Sequence, residues 1–204
     1  MAVTPLPPGC AVLLPAAGAS ARMRGRDKLL EPVEGRALLA RQTARALASG
    51  AATAVTLRPA DPARRATLDG LAVTVLPVPE AAEGMAASLR TGAAWATQTG
   101  TRALMILLPD MPGITTDDIA ALFHAWSRRP DTPLRAATAT GTPGHPVILP
   151  RPLFPALRAL RGDQGARPLL PATTRHHPLQ DDRATTDLDT PEAWATWRAR
   201  HMPR

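Results

Sequence analysis

Along the chain, short continuous apolar runs alternate with segments in which apolar residues recur every three or four positions, and Gly and Pro separate the two kinds. The runs predict buried strands at Cys10–Leu14, Ala54–Leu57, Leu71–Leu76, Ala103–Leu108 and Leu134–Thr138, with a later pair near Pro146–Leu149 and Thr173–Pro178. The helical spacings predict helices over Arg36–Ser49, Pro62–Leu68, Gly84–Gln98, Thr115–Arg128, Pro152–Leu160, Asp163–Leu170 and Pro191–Arg200. Gly50 suits the left-handed residue that stops the first helix, and Thr115 or Thr116 caps the fourth, with Asp117 and Asp118 in its first turn. Such alternation predicts an α/β architecture with a mostly parallel sheet and crossover helices. The polar, Gly/Pro-rich segment Thr138–His145 reads as a long loop, and with no repeat and no linker, residues 1–204 are expected to form one domain.

Composition narrows the class. Hydrophobic residues at 45% and charged residues at 20% match a chain that packs a core, which excludes wholesale disorder. Tyr and Asn are absent while Ala and Arg abound, as coding bias produces. The net charge of +7 is spread along the chain, with only short clusters such as Arg22-Met23-Arg24 and Arg128-Arg129. Aromatic residues amount to 3%, leaving little on which bases could stack, so no nucleic-acid partner is expected. A small anionic substrate accounts for the positive field. The lone Cys10 allows neither an internal disulfide nor a Cys-cluster metal site, which suits a reducing compartment. Ala11-Val12-Leu13-Leu14 lacks the basic flank and the length of a targeting or membrane segment, so a cytoplasmic location and no membrane partner are expected.

In a mostly parallel sheet, chemistry collects beyond the carboxyl ends of the strands. After the first strand comes Leu14-Pro15-Ala16-Ala17-Gly18-Ala19-Ser20-Ala21-Arg22-Met23-Arg24-Gly25-Arg26-Asp27-Lys28. Small side chains let backbone N–H groups converge on phosphate oxygens, with Arg22 and Lys28 offsetting the charge; a surface loop of an Arg-rich chain has the same composition. The loop is neither a Walker A motif nor GxGxxG. Lys28 is the sole lysine, a compact rotatable charge where Arg would present a planar fork. At the end of the fourth strand, Pro109-Asp110-Met111-Pro112 offers a carboxylate suited to Mg²⁺ held together with substrate phosphates, or equally to a turn or helix cap. A second acidic group lies in Thr185-Thr186-Asp187-Leu188-Asp189-Thr190-Pro191-Glu192, where Asp189 or Thr190 also suits the cap of the last helix. His176 and His177, adjacent on a strand, face opposite ways and read as solvent-exposed rather than metal-binding, while Trp194 and Trp197 share a helix face that reads as packing.

Taken together, these segments resemble the nucleotidyltransferases of molybdenum cofactor maturation. LPAAGASARMRGRDKLL is similar to their signature loop, LxAGxSxRMGxxK, and LLPDMP to their metal-binding strand end. Gly84-Met85-Ala86-Ala87-Ser88-Leu89, Gly144-His145-Pro146-Val147, Gly162-Asp163-Gln164-Gly165-Ala166-Arg167 and the segment Asp187–Glu192 follow in order, so the resemblance spans nearly the whole chain. The GHPV and GDQGAR elements, and Ala17 where guanylyl enzymes carry a second Gly, resemble the cytidylyltransferase branch. Three features depart from the pattern: Arg24 replaces a Gly, one extra residue separates Met23 from Lys28, and Pro109 precedes the aspartate.

The resemblance implies a three-layer α/β/α, Rossmann-like nucleotidyltransferase (GT-A-like) fold and Mg²⁺-dependent transfer of CMP from CTP to the terminal phosphate of molybdopterin, releasing pyrophosphate. It implies Arg22, Lys28 and Asp110 as catalytic residues, and Ala16, Ala17, Gly18, Ser20, Gly84 and Ser88 around the nucleotide. His145, Asp163 and Arg167 are implied on the pterin side. Asp110 and Asp189 are the implied Mg²⁺ ligands, with Asp187 as the other candidate. A molybdenum hydroxylase or its maturation chaperone is the implied recipient of the product. Guanylyl transfer, or transfer to a sugar phosphate on the same fold, would use the same loop and aspartate; a non-enzymatic carrier of the cofactor would keep the loop for recognition alone. The GHPV and GDQGAR elements argue against the sugar phosphate, and Lys28 with Asp110 against the carrier.

Overall fold

The computed structural model describes residues 5–201. Cys10–Pro15 forms β1, buried along its whole length as expected of a parallel strand covered on both faces. Its side chains alternate between two cores. Val12 and Leu14 pack with Leu39 and Ala46 of α1 (Leu38–Ala48) and with Ile119, Leu122, Phe123 and Trp126 of α4 (Thr116–Ser127). Ala11 and Leu13 pack with Ala86, Leu89, Ala93 and Ala96 of α3 (Met85–Gln98) and with Phe154 and Leu157 of α5 (Phe154–Arg158). A Cβ on Gly92 would lie 2.1 Å from Leu13 Cδ2, so the glycine lets α3 lie directly on β1. Burial pushes the Cys10 thiol up to about 12, leaving it inert.

The remaining elements are β2 (Pro32–Val33), β3 (Arg36–Ala37), β4 (Ala52–Leu57), α2 (Pro62–Ala66), β5 (Thr74–Pro77), β6 (Ala103–Ile106), β7 (Leu134–Ala137), β8 (Pro143–Pro150), β9 (Arg175–Pro178) and α6 (Pro191–His201). Seven strands form one sheet in the order β5-β4-β1-β6-β8-β7-β9, in which only β8 runs antiparallel to its neighbours. From β1 the chain proceeds outward to β4 and β5, then returns through α3 to β6 on the other side of β1. This reversal opens a crevice beyond the carboxyl ends of β1 and β6, where ligands bind in open α/β sheets. No helix among the described residues is long and apolar enough to cross a membrane.

Four expectations change. Asp163–Leu170 is not an α-helix: only Arg167–Leu169 forms a single 3-10 turn, because Pro168 removes a backbone donor. The segment from Arg36 begins as the return strand of the β2–β3 hairpin, whose two-residue turn places Glu34 and Gly35 at φ 51° and 77°. The strand expected from Leu71 starts at Thr74, since the chain still turns at Gly70 (φ 78°). Finally, β8 starts at Pro143, so His145 lies within a strand rather than in a loop.

Candidate active site

The loop after β1 is shaped from behind by two arginines. Arg64 of α2 is 3% exposed; its Nη1 donates to the carbonyls of Ala16 (2.6 Å) and Gly18 (2.8 Å), and Arg58 Nε donates to that of Ala17 (2.9 Å). Arg64 also grips Asp27 through Nε and Nη2, at 2.7 and 2.8 Å, and donates to Ser20 Oγ at 3.0 Å. With these carbonyls held by guanidinium groups, the N–H groups of Ala17, Gly18, Ala19 and Ser20 donate to no acceptor among the described residues. Free, neighbouring N–H groups in a turn form a concavity suited to an anion.

Further along the loop, Met23 is fully buried in a small satellite core with Val33, Leu38, Leu188, Trp194 and Trp197. That anchor leaves Arg22 exposed on the cleft side, and it explains the spacing of the two tryptophans, whose ring centroids lie 6.4 Å apart, edge to face. Arg24 sits at φ 53°, a left-handed position that favours Gly, and it forms an exposed ion pair with Glu192 at 2.7 Å.

Five of the expected residues converge at the switch point. Lys28 Nζ donates to Asp110 Oδ2 and, at 2.5 Å, to Asp189 Oδ1, while Arg22 Nη1 donates to Asp189 Oδ2 at 2.6 Å. Leu188 N donates to the Asp110 carbonyl at 3.0 Å, and with Leu188 buried in the satellite core this brings Asp187 and Asp189 close to Asp110. Thr190 Oγ1 accepts from Ala193 N at 3.2 Å and so caps α6, which leaves the Asp189 carboxylate free for the cleft.

Burial opposes charge on both Lys28 and Asp189, but Asp110 and then Asp189 outweigh it at Lys28, and Lys28 and then Arg22 outweigh it at Asp189. Lys28 is held above, and Asp189 below, its ordinary value. Asp187 moves the other way: partial desolvation, then the charges of Asp110 and Asp189, raise it. One oxygen of each of the three aspartates lies within 4.8 Å of the others, and Asp110 Oδ1 is buried with no hydrogen-bond partner. An all-oxygen set with an orphaned buried carboxylate oxygen fits a hard divalent cation.

The remaining expected residues gather on the other side of the crevice. His145, Asp163 and Arg167 line one pocket of about 220 Å³ with Arg135 and the apolar side chains of Met85, Leu89, Ile106, Leu108, Val147 and Leu170. Gly84 (φ 118°) faces the Gly162–Asp163 turn so closely that a Cβ would lie 2.1 Å from Asp163 Oδ1, and Ser88 is buried on α3. Gly144 allows equally close passage: a Cβ there would lie 1.8 Å from the Ala184 carbonyl, to which His145 N donates at 2.7 Å. Burial, then Arg135, lower the His145 pKa and so favour the neutral imidazole. Arg58, Arg64 and Arg135 went unrecognised in the sequence, where nothing separates them from the many surface arginines.

A sheet reversing at β1, a loop of free N–H groups, and a lysine among three aspartates at the switch point define an α/β nucleotidyltransferase. The model of the MobA-like NTP transferase domain matches residues 11–179, and the chain belongs to that family. The crystal structure of an Rv0371c homologue from Mycobacterium sp. strain JC1 is 28% identical, with a TM-score of 0.77, covering 94% of this chain and 96% of that one. Rv0371c of Mycobacterium tuberculosis H37Rv, in a complex with manganese, is 24% identical over 92% of this chain and 96% of its own, with a TM-score of 0.71. A nucleotidyl transferase from Methanothermobacter shares the fold at 18% identity, with a TM-score of 0.77 over 95% and 98% of the two chains. No curated protein matches the chain.

Proposed function

We propose that this nucleotidyltransferase transfers CMP from CTP to the terminal phosphate of molybdopterin. An oxygen of that phosphate bonds to the α-phosphorus of CTP, the bond from α-phosphorus to the bridging oxygen breaks, and pyrophosphate leaves. The attacking phosphate is already anionic, so no protein base is required. Positioning and charge stabilisation then carry the reaction. In this reading the N–H groups from Ala17 to Ser20 receive the triphosphate, and Arg22 and Lys28 offset charge on the departing pyrophosphate. Asp110, Asp187 and Asp189 would hold Mg²⁺, which would act as a Lewis acid offsetting the negative charge of the phosphate groups. In the same reading Gly84 and Ser88, beside the His145 pocket, approach the nucleoside, and His145, Asp163 and Arg167 receive the pterin. A molybdenum hydroxylase or its maturation chaperone takes the product.

The observation that carries this reading is the meeting of Lys28 with Asp110 and Asp189 at the switch point, together with the GHPV and GDQGAR segments in one adjoining pocket. The test is pyrophosphate release with Mg²⁺ and molybdenum-loaded molybdopterin, comparing CTP with GTP, ATP and UTP. Release with CTP alone is expected. Preference for GTP moves the protein to the guanylyl branch, and no release with any nucleotide removes molybdopterin as the acceptor.

A further inference from the structure

Arg135 occupies an unusual place for a guanidinium. It lies on β7 in register with Val147 of β8 and His176 of β9, and so on the sheet face that carries Val147 and the α3–α5 core. The ladder with β8 is irregular between Arg135 and Ala137, the kind of bulge that re-aims a side chain. Arg135 Nε donates to the Gly144 carbonyl at 2.7 Å, which fixes the side chain across the pocket. Its Nη1 and Nη2 donate to no acceptor among the described residues, and neither Arg135 nor Arg167 has an ion-pair partner among them.

The rest of the pocket sharpens the imbalance. Asp163 lines it but pairs with neither arginine, and His145 Nδ1 is buried with no partner. Burial, then the charge of Arg167, hold Arg135 below the ordinary arginine range. A partly buried guanidinium with no counter-ion is complemented by an anion that supplies one. The walls formed by Met85, Leu89, Leu108 and Leu170 are apolar, and Leu108 stands two residues before Asp110, so the pocket adjoins the carboxylate cluster. At about 220 Å³ it is smaller than a complete small-molecule site, typically ~300–1,000 Å³, and takes one ring system with its substituent.

We infer that Arg135, with His145, forms an anion-recognition subsite that grips a negatively charged substituent on the acceptor's ring system, remote from the phosphate that reacts beside Asp110. The apolar walls receive the ring, and the free edge of the guanidinium presents two parallel donors to a carboxylate or similar oxyanion. This assignment rests on the proposed entry of the acceptor from the GHPV side.

The test is fluorescence titration of the full chain, without nucleotide, with pterin-6-carboxylate and with uncharged 6-hydroxymethylpterin. The wild type is expected to bind the carboxylate at least tenfold more tightly. Arg135→Met should abolish the preference and Arg135→Lys restore part of it, with far-UV circular dichroism unchanged in both. Equal binding of the two pterins, no binding of either, or a preference that survives Arg135→Met overturns the subsite. Should Arg135→Met fail to fold, the wild-type comparison and Arg135→Lys decide. Absence of pyrophosphate release with molybdopterin would defeat the proposed reaction alone, and a carboxylate preference that depends on Arg135 would still support the subsite.

Discussion

On the loop side of the crevice Arg22, Lys28 and Arg64 each hold a carboxylate, whereas on the pocket side Arg135 and Arg167 hold none among the described residues. The loop side is rigid before any ligand arrives: Arg64 fixes three loop residues and Asp27 at once, and Lys28 is bound between two aspartates. Its cations are paired in the free protein, so in the proposed reaction a polyphosphate would take over contacts that carboxylates now make. On the pocket side the charge is uncompensated and the walls apolar, an arrangement that discriminates among ligands by whether they supply the missing anion. Preorganisation and selectivity thus sit on opposite walls, and variants on each wall should fail differently.

The largest effect belongs to Lys28. Removing one preorganised donor to developing charge costs roughly 10²–10³ in rate. Lys28→Ala is expected to lower pyrophosphate release by that factor while the pterin titration stays as in the wild type. A variant that loses pterin binding to the same extent would break the division between the two walls.

Next comes Arg64, which acts on the loop rather than on the ligand. Arg64→Met removes the ion-pair partner of Asp27, which keeps only the hydrogen bonds from Ser20 Oγ and Leu29 N, and breaking a buried pair costs about 3 kcal/mol. For a chain of this length that lowers Tm by roughly 6–12 °C in a thermal unfolding scan. Arg64→Lys restores charge without the fork that reaches Ala16 and Gly18, so it should recover part of the Tm while KM for CTP remains raised. A Tm within 2 °C of wild type for Arg64→Met would show that the loop holds its shape unaided, against the estimate of roughly 6–12 °C.

These two residues also mark how far the sequence was readable. Lys28 stood out because it is the sole lysine; Arg64 sits beside Arg65 in a short segment with no pattern, and only the fold buries one and exposes the other. The inner strands β1, β4 and β6 were legible because burial on both faces demands unbroken apolar runs. The Asp163–Leu170 segment was misread as helical because apolar spacing outweighed Gly165 and Pro168. The β2–β3 hairpin went unseen because strands of two residues carry no periodicity, although the Glu34-Gly35 turn was its one local sign. Of the candidate site, sequence order brought forward Asp110, Asp187 and Asp189, but which residue caps α6 rested on geometry: Thr190 takes that role and frees Asp189. Arg135 was invisible because its meaning lies in the absence of a partner.

The smallest effect separates the two acidic neighbours of Asp110. Asp189 is held below its ordinary pKa once the hydrogen bond and charge of Lys28 outweigh burial, so its stabilising contribution is present above the unfolded value and is lost as pH falls through the folded one. Asp187 is raised, by partial desolvation and then by Asp110 and Asp189. Its contribution therefore has the opposite sign: unfavourable at neutral pH, and relieved as pH falls because the folded form takes up the proton first. Asp187→Asn is expected to stabilise the free protein at pH 7 by a few tenths of a kcal/mol, since solvent screens a carboxylate this exposed. In urea unfolding that gain should shrink as pH approaches 4, whereas Asp189→Asn should destabilise at pH 7. Both variants should weaken Mn²⁺ binding measured by electron paramagnetic resonance, because the proposed cation site takes one oxygen from each of the three carboxylates. Loss of stability in Asp187→Asn would show that the cluster is held by contacts other than Lys28, and Mn²⁺ affinity unchanged in that variant would leave Asp110 and Asp189 as the only protein ligands.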